Sequence, residues 1–164
     1  MPSKIAHEIS LESITQFIRL ETRCLNEIDL DTWISLFTED GYYWMPLERD
    51  QTEPEEHDSL IYDNRTLMEL RKFNLASPLS PSMQREVRSV RILSDLETVG
   101  GADPAGEIIV SASIIAVIFH RKQDYFAGTV TWRLLQTEEG LKIKSKRVDL
   151  LNADAPLDSI MMYV

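Results

Sequence analysis

The chain of 164 residues is 43% hydrophobic and carries a formal net charge of −10, which predicts one globular domain, residues 1–164, with an acidic surface. An acidic surface repels phosphate, which argues against nucleic acids and anionic membranes as partners. We expect a cytoplasmic protein, because residues 1–10 show no signal-peptide pattern, no apolar run approaches the roughly 20 residues of a membrane span, and the single cysteine cannot form an internal disulfide.

Two helices are predicted at the start of the chain. Ser10 is the predicted N-cap of the first helix, because its hydroxyl can accept a hydrogen bond from a free backbone N–H of the first turn. Asp29 is predicted to cap the second helix in the same way. The apolar residues at helical spacing are Leu11, Ile14, Ile18, Leu25 and Ile28 in the first helix and Leu30, Trp33, Ile34 and Phe37 in the second. Each helix therefore has one face that can pack on a core.

An aromatic strand is predicted after the second helix. Residues 39–41 are typical of a turn, and residues 42–45 favour a strand that ends at Pro46. Alternate side chains of a strand point to opposite faces, and here both faces are apolar or aromatic. We therefore expect this strand to be covered on both faces, and it is the best indication of a subunit contact in the sequence.

The next segment predicts a long loop and a third helix. Residues 46–56 are polar and acidic, which is typical of a loop. Residues 59–73 have helical character, and Thr66 and Glu69 have the spacing of a capping box, so the helix proper is expected to begin near them. Prolines exclude a regular element over residues 74–86.

Residues 87–151 are predicted to be mostly strand. Residues 108–119 are apolar on both faces, which is typical of a central strand that is covered on both sides. Short connections imply antiparallel neighbours. The apolar tail, residues 160–164, is expected to dock on its own sheet or on another subunit. Helices followed by such strands predict an α+β fold in which N-terminal helices pack on a strongly curved, mainly antiparallel sheet to form a cone.

The residues that could hold a metal are few. A Rieske cluster needs two cysteines and two histidines, and the chain has only Cys24, which we interpret as a core residue. The histidines, His7, His57 and His120, lie near the start of the chain, in the acidic loop and at a strand end, so their spacing does not indicate convergence. We predict no catalytic, no cofactor-binding and no metal-binding residues in this chain.

General acid–base chemistry is the alternative that stays open. His57 with Asp58, or Tyr62 with Asp63, could form a buried polar pair with a shifted pKa. The simpler interpretation places His57 and Asp58 on the loop surface and makes Asp63 a cap or brace of the third helix.

Several segments, taken in order and with their spacing, match a known family. They are Trp33–Asp40 with Tyr43–Pro46, His57 with Tyr62 and Asp63, Arg71, Arg88–Val90, Trp132–Leu134, Lys144–Leu151 and Leu151–Asp154. Over nearly its whole length the chain resembles the small (beta) subunit of bacterial aromatic-ring-hydroxylating dioxygenases.

The resemblance implies a non-catalytic structural subunit in the breakdown of aromatic compounds. In such enzymes the large (alpha) subunit carries the Rieske 2Fe–2S cluster and the mononuclear iron, and three large and three small chains form a hexamer in which the small chains associate as a trimer. The implied fold is a conical cystatin-like or nuclear-transport-factor-2-like domain, similar to ketosteroid isomerase and scytalone dehydratase. A benzoate-like acid is the implied substrate of the complex.

Two other functions are weighed against this one. The first is a free-standing cone-fold isomerase or dehydratase that uses general acid–base catalysis. Met45 occupies the position where the isomerase pattern has a carboxylate, and a thioether cannot accept a proton, so only a dehydratase that uses His57 stays open. The second is a small-molecule-binding or scaffold module unrelated to oxygenases.

Overall fold

The computed structural model describes residues 9–76, 87–100, 106–157 and 160–164. Within these residues the helices are α1 (Leu11–Glu27), α2 (Leu30–Ser35) and α3 (Arg65–Ala76). The strands are β1 (Phe37–Pro46), β2 (Ser59–Asn64), β3 (Arg88–Thr98), β4 (Glu107–His120), β5 (Lys122–Thr137) and β6 (Gly140–Leu150). They form one sheet in the order β2-β1-β6-β5-β4-β3. Neighbouring strands are antiparallel except β1 and β6, which are parallel, so the predicted α+β class with a mainly antiparallel sheet is confirmed.

Both predicted helix caps are present. The Ser10 hydroxyl accepts a hydrogen bond of 3.1 Å from the backbone N–H of Ser13, and the Asp29 carboxylate accepts one of 3.1 Å from Thr32. Helix α1 ends at Glu27, and its C-cap Ile28 has a left-handed backbone (φ 59°) that turns the chain toward α2. Helix α1 packs on β3, and α3 packs on β1 and β2, so the core lies between the helices and the inner face of the sheet.

The predicted turn at residues 39–41 is wrong, because these residues lie inside the continuous strand β1. The pairing of β1 with β6 shifts register between Phe37 and Tyr42, so the turn-like residues form a local irregularity within the strand. Gly41 permits the close approach, since a Cβ there would lie only 2.8 Å from the carbonyl oxygen of Ile143. Phe37 consequently begins a strand and is not part of the second helix.

The helix predicted from residue 59 begins later. Ser59–Asn64 is strand β2, which pairs antiparallel with β1. Ile61 and Asp63 are buried at alternate positions of this strand, which is the period of a sheet. Helix α3 begins at Arg65, and the Asn64 side chain accepts a hydrogen bond of 3.0 Å from the backbone N–H of Leu67. The capping box at Thr66 is therefore wrong, and the cap is two residues earlier.

Strands β3 to β6 form the predicted antiparallel run. The inner face of β4 is buried, but on its outer face Ile115 is 51% and Phe119 is 40% exposed. The prediction that residues 108–119 are covered on both sides is therefore wrong for this chain alone. The prediction that residues 74–86 form no regular element is wrong for residues 74–76, which belong to α3, and residues 77–86 lie outside the described residues.

Gly128 on β5 gives a direct test of this sheet. It pairs with Leu150 of β6, and a Cβ at this position would lie 2.0 Å from the backbone oxygen of Asp149. We expect Gly128→Ala to reduce the free energy of unfolding by about 1–3 kcal/mol, because backbone atoms must move apart. Urea denaturation measures this effect. Thr129→Ala, at the exposed neighbouring position, is the control and should change it by less than about 0.5 kcal/mol; equal effects would contradict the close approach.

Candidate functional site

The C-terminal tail fills the interior of the fold. Met162, Tyr163 and Val164 are each at most 1% exposed. The Tyr163 ring stacks on Trp33 with 4.5 Å between ring centroids and meets the Tyr43 ring edge-on at 4.7 Å. The Tyr43 hydroxyl also accepts a hydrogen bond of 3.1 Å from the backbone N–H of Val164. The predicted docking of the tail is confirmed, and its partner is this chain's own core.

The hydroxyl end of Tyr163 has a defined polar environment. It donates a hydrogen bond of 2.7 Å to Oδ2 of Asp63. Arg71 Nε donates to the same Asp63 oxygen at 2.8 Å and to the Tyr163 hydroxyl at 3.2 Å. Burial and then the Asp63 carboxylate raise the pKa of Tyr163 above its ordinary value, so the hydroxyl stays a neutral donor. Asp63 therefore braces α3 through Arg71, as one of the two sequence interpretations expected.

A buried ion pair lies beside this aromatic cluster. Lys146 Nζ on β6 and Glu21 Oε1 on α1 are 2.7 Å apart, and both side chains are 1% exposed. The Trp33 indole N–H donates to the same Glu21 oxygen at 2.7 Å. The Lys146 ammonium also lies over the Tyr43 and Trp132 rings at 5.9 and 5.8 Å from their centroids. Burial lowers the pKa of Lys146, and Glu21 opposes that shift by favouring the charged form.

Arg91 on β3 is buried and binds the backbone of the tail. Its Nη2 donates to the carbonyl oxygen of Tyr163, and its Nη1 donates to Asn26 Oδ1 at 3.2 Å and to Ser89 Oγ at 3.0 Å. The side chain is buried, so desolvation lowers the pKa of Arg91, while the Glu21 carboxylate raises it. The charged groups of Arg91, Lys146 and Glu21 thus share the low-dielectric interior near the tail.

Sequence reasoning missed the Glu21–Lys146 pair, although the sequence did indicate that Glu21 is buried. Glu21 lies three residues after Ile18 and four before Leu25, which places a carboxylate in the apolar stripe of α1. A charged residue at such a position needs a buried partner. That partner is 125 positions away in the sequence, so nothing local identified Lys146.

The second face of β1 is covered by this chain itself. Trp44 is 3% exposed, the Arg147 guanidinium lies 4.5 Å from its ring centroid, and its indole N–H donates to Ser59 Oγ at 2.9 Å. The strand is covered on both faces as predicted, but the covering residues are intramolecular. Contacts within the chain therefore explain why both faces of β1 are apolar or aromatic, without the subunit contact that the sequence suggested.

One open apolar surface lies on the far side of the sheet. We call it the outer patch; its exposed members are Val90, Ile92, Ile115, Phe119 and Tyr125, with exposures of 50, 64, 51, 40 and 67%. Ile92 pairs with Ile115, and Val117 pairs with both Val90 and Tyr125, so these side chains adjoin on one face. A contiguous apolar patch of this kind is typical of an interaction surface.

The family model described as "Ring hydroxylating beta subunit" matches residues 20–155. The chain belongs to this ring-hydroxylating beta subunit family. The family resemblance that the sequence predicts is therefore confirmed.

The chain is 28% identical over 149 residues to the toluate 1,2-dioxygenase subunit beta of Pseudomonas putida, and the alignment covers 88% of this chain and 91% of that protein. It is 29% identical over 150 residues to the benzoate 1,2-dioxygenase subunit beta of Acinetobacter baylyi, with 88% of each chain covered.

Solved structures agree with the beta-subunit fold. The beta subunit of benzoate 1,2-dioxygenase from Burkholderia mallei superposes with a TM-score of 0.75 at 24% identity and covers 99% of this chain and 100% of that one. A scytalone dehydratase-type protein from Novosphingobium aromaticivorans superposes with a TM-score of 0.61 at 11% identity, covering 85% and 83% of the two chains. These likenesses show the fold, and the predicted conical class is confirmed.

The candidate acid–base residues of this beta-subunit family member do not form one site. His57 and Asp58 are exposed in the loop between β1 and β2, and Tyr62 is 38% exposed. Asp63 is buried, but its partners are Arg71 and Tyr163. His7 lies outside the described residues.

Two further predictions concern cysteine and metal chemistry. Cys24 is buried, and burial raises the pKa of its thiol, which disfavours the nucleophilic thiolate. Across residues 9–76, 87–100, 106–157 and 160–164, three or more side chains of His, Cys, Asp or Glu do not gather into a potential metal site. Nor does any helix within these ranges combine the length and the apolar character needed to cross a membrane.

An open groove of about 610 Å³ lies where the end of α1 and the start of α2 face the end of α3. Three of its charged groups have structural roles: Asp29 caps α2, and Lys72 Nζ lies 2.6 Å from Asp31 Oδ1.

Proposed function

We propose that this chain is the beta subunit of the terminal oxygenase component of an aromatic-ring-hydroxylating dioxygenase. Its role is structural: it holds the catalytic large subunits in fixed positions, within the breakdown of aromatic compounds. The observation that carries the proposal is the family match over residues 20–155, together with relatives named as dioxygenase beta subunits over most of their length. The filled interior supports it, because Tyr163 occupies the core of the cone.

The redox groups of the complex belong to its large subunit. A Rieske cluster takes two cysteine and two histidine ligands, and this chain contains one cysteine, so its donor set does not fit the cluster. We propose that the large subunit holds both this cluster and the mononuclear iron. The relatives named for toluate, 2-halobenzoate and benzoate favour an aromatic carboxylic acid as the substrate of the complex.

We propose an assembly of three large and three small chains in the cytoplasm, with the small chains forming a trimer. Three-fold symmetry of the small-chain trimer would give each large subunit an identical binding surface. The outer patch supplies apolar surface that an assembly can bury.

Co-expression with the large dioxygenase subunit tests this function. We expect the two chains to co-purify and native mass spectrometry to give the mass of three copies of each. Iron and ring hydroxylation should be found only in preparations that contain the large subunit. Turnover of a hydroxylated substrate by the isolated small chain, lost in His57→Ala, would instead support the dehydratase alternative. Failure of the two chains to associate would contradict the structural role.

A further inference from the structure

The surroundings of the Tyr163 ring have the composition of a small-molecule site. The ring is fully buried, with one face on Trp33, an edge contact to Tyr43, and the Arg71 guanidinium 5.3 Å from its centroid. Aromatic walls and one cation are features that bind an aromatic ring in a pocket.

The polar end of this site is specific for a neutral phenol. A phenol hydroxyl has one proton to donate and lone pairs to accept with. Asp63 Oδ2 accepts the hydrogen bond that the Tyr163 hydroxyl donates, and Arg71 Nε donates to the hydroxyl oxygen. Arg71 Nε also donates directly to Asp63 Oδ2 at 2.8 Å. The Asp63 carboxylate therefore has a second partner, which does not belong to the tail.

The four residues that surround the ring belong to regular elements and not to the tail. Trp33 lies on α2, Tyr43 on β1, Asp63 on β2 and Arg71 on α3. The ring itself is carried by residues 160–164, which contain neither helix nor strand. Tyr163 thus has the position of a ligand that is tethered to its own receptor, which gives it a high effective concentration over any free competitor.

We propose that the interior contains a binding site for small neutral phenols, which Tyr163 occupies as an intramolecular ligand. In the intact chain a free phenol must compete with the tethered ring, so the site is closed. Removal of the ring opens it to a phenol of the same size. The test of this site does not depend on the proposed assembly with a large subunit, because it uses this chain alone.

The full-length Tyr163→Gly variant tests the site with p-cresol, which has the shape of the missing side chain. We expect p-cresol to raise the thermal unfolding midpoint of the variant in a saturable manner and to leave the wild-type midpoint unchanged. Toluene lacks the hydroxyl and should bind at least about tenfold more weakly, because a hydrogen bond to a carboxylate is lost. Adding Asp63→Ala should abolish this preference for p-cresol over toluene.

Tyr125→Gly is the matched control, because Tyr125 is 67% exposed on β5 and its removal opens no buried site. The proposal is overturned if p-cresol stabilises both glycine variants alike, stabilises neither, or binds Tyr163→Gly no better than toluene does. If Tyr163→Gly is unfolded without ligand, the titration is carried out as refolding from urea. Recovery with p-cresol but not with toluene supports the site, and failure to recover with p-cresol counts against it.

Discussion

Lys146→Met is expected to lower the free energy of unfolding by about 3–5 kcal/mol, because it leaves the Glu21 carboxylate charged and unpaired in the interior. Glu21 is 1% exposed, and one of its oxygens, Oε2, has no hydrogen-bond partner among the described residues even in the intact chain. After the substitution the Trp33 indole N–H would still donate its hydrogen bond to Glu21 Oε1. Urea denaturation of the full-length chain, followed by far-UV circular dichroism, measures the loss.

The neighbouring Lys144 supplies a matched control on the same strand. Its ammonium binds Asp40, but the two side chains are 30% and 70% exposed, so Lys144→Met should cost less than about 1 kcal/mol. The double variant Glu21→Leu/Lys146→Met should recover much of the loss, since it removes both charges. Equal stability of Lys146→Met and Lys144→Met would show that the interior does not desolvate the ion pair.

Trp33→Ala is expected to have a comparable effect, about 3–5 kcal/mol, because it removes the centre of the aromatic cluster. The Trp33 ring contacts Phe37 at 4.8 Å, Tyr43 at 6.1 Å and Tyr163 at 4.5 Å between centroids. Its loss leaves a cavity under the tail and deprives Glu21 of a hydrogen-bond donor. Thermal and urea unfolding measure the effect.

Trp33→Phe separates the two contributions. It keeps a ring in the cluster but cannot donate to Glu21, so we expect an intermediate loss of about 1–3 kcal/mol. Tyr125→Ala, at an exposed aromatic position, should change the free energy of unfolding by less than about 0.5 kcal/mol. If Trp33→Ala is as stable as Tyr125→Ala, the Trp33 ring does not make the large contribution to the free energy of unfolding that we expect.

The parts of the fold that sequence reasoning predicted are those determined by nearby residues. The caps at Ser10 and Asp29 depend on side chains and backbone groups three positions apart, and both are present. The conical α+β class followed from helices that precede a run of strands with short connections. The tail was expected to dock because five apolar residues would otherwise face water.

The errors arise where a distant segment decides the local structure. Residues 59–64 have helical character on their own, but they become β2 because the edge of β1 offers hydrogen bonds to an extended chain. Residues 39–41 stay within β1 for the same reason, because β1 pairs with β6 on either side of them and the turn-like sequence becomes a register shift. The interior polar groups follow this rule too, since Asp63 and Tyr163 meet from 100 positions apart.

The place of β6 between β1 and β5 determines when the domain can be completed during synthesis. Strands β1 and β2 join the sheet only through β6, and the cluster around Trp33 closes only with Tyr163. The aromatic residues near the start of the chain therefore stay uncovered during synthesis until β6 and Tyr163 have been translated. Because these contacts are distant in sequence, their closure has a larger entropic cost and lengthens the time for which apolar surface is exposed during folding.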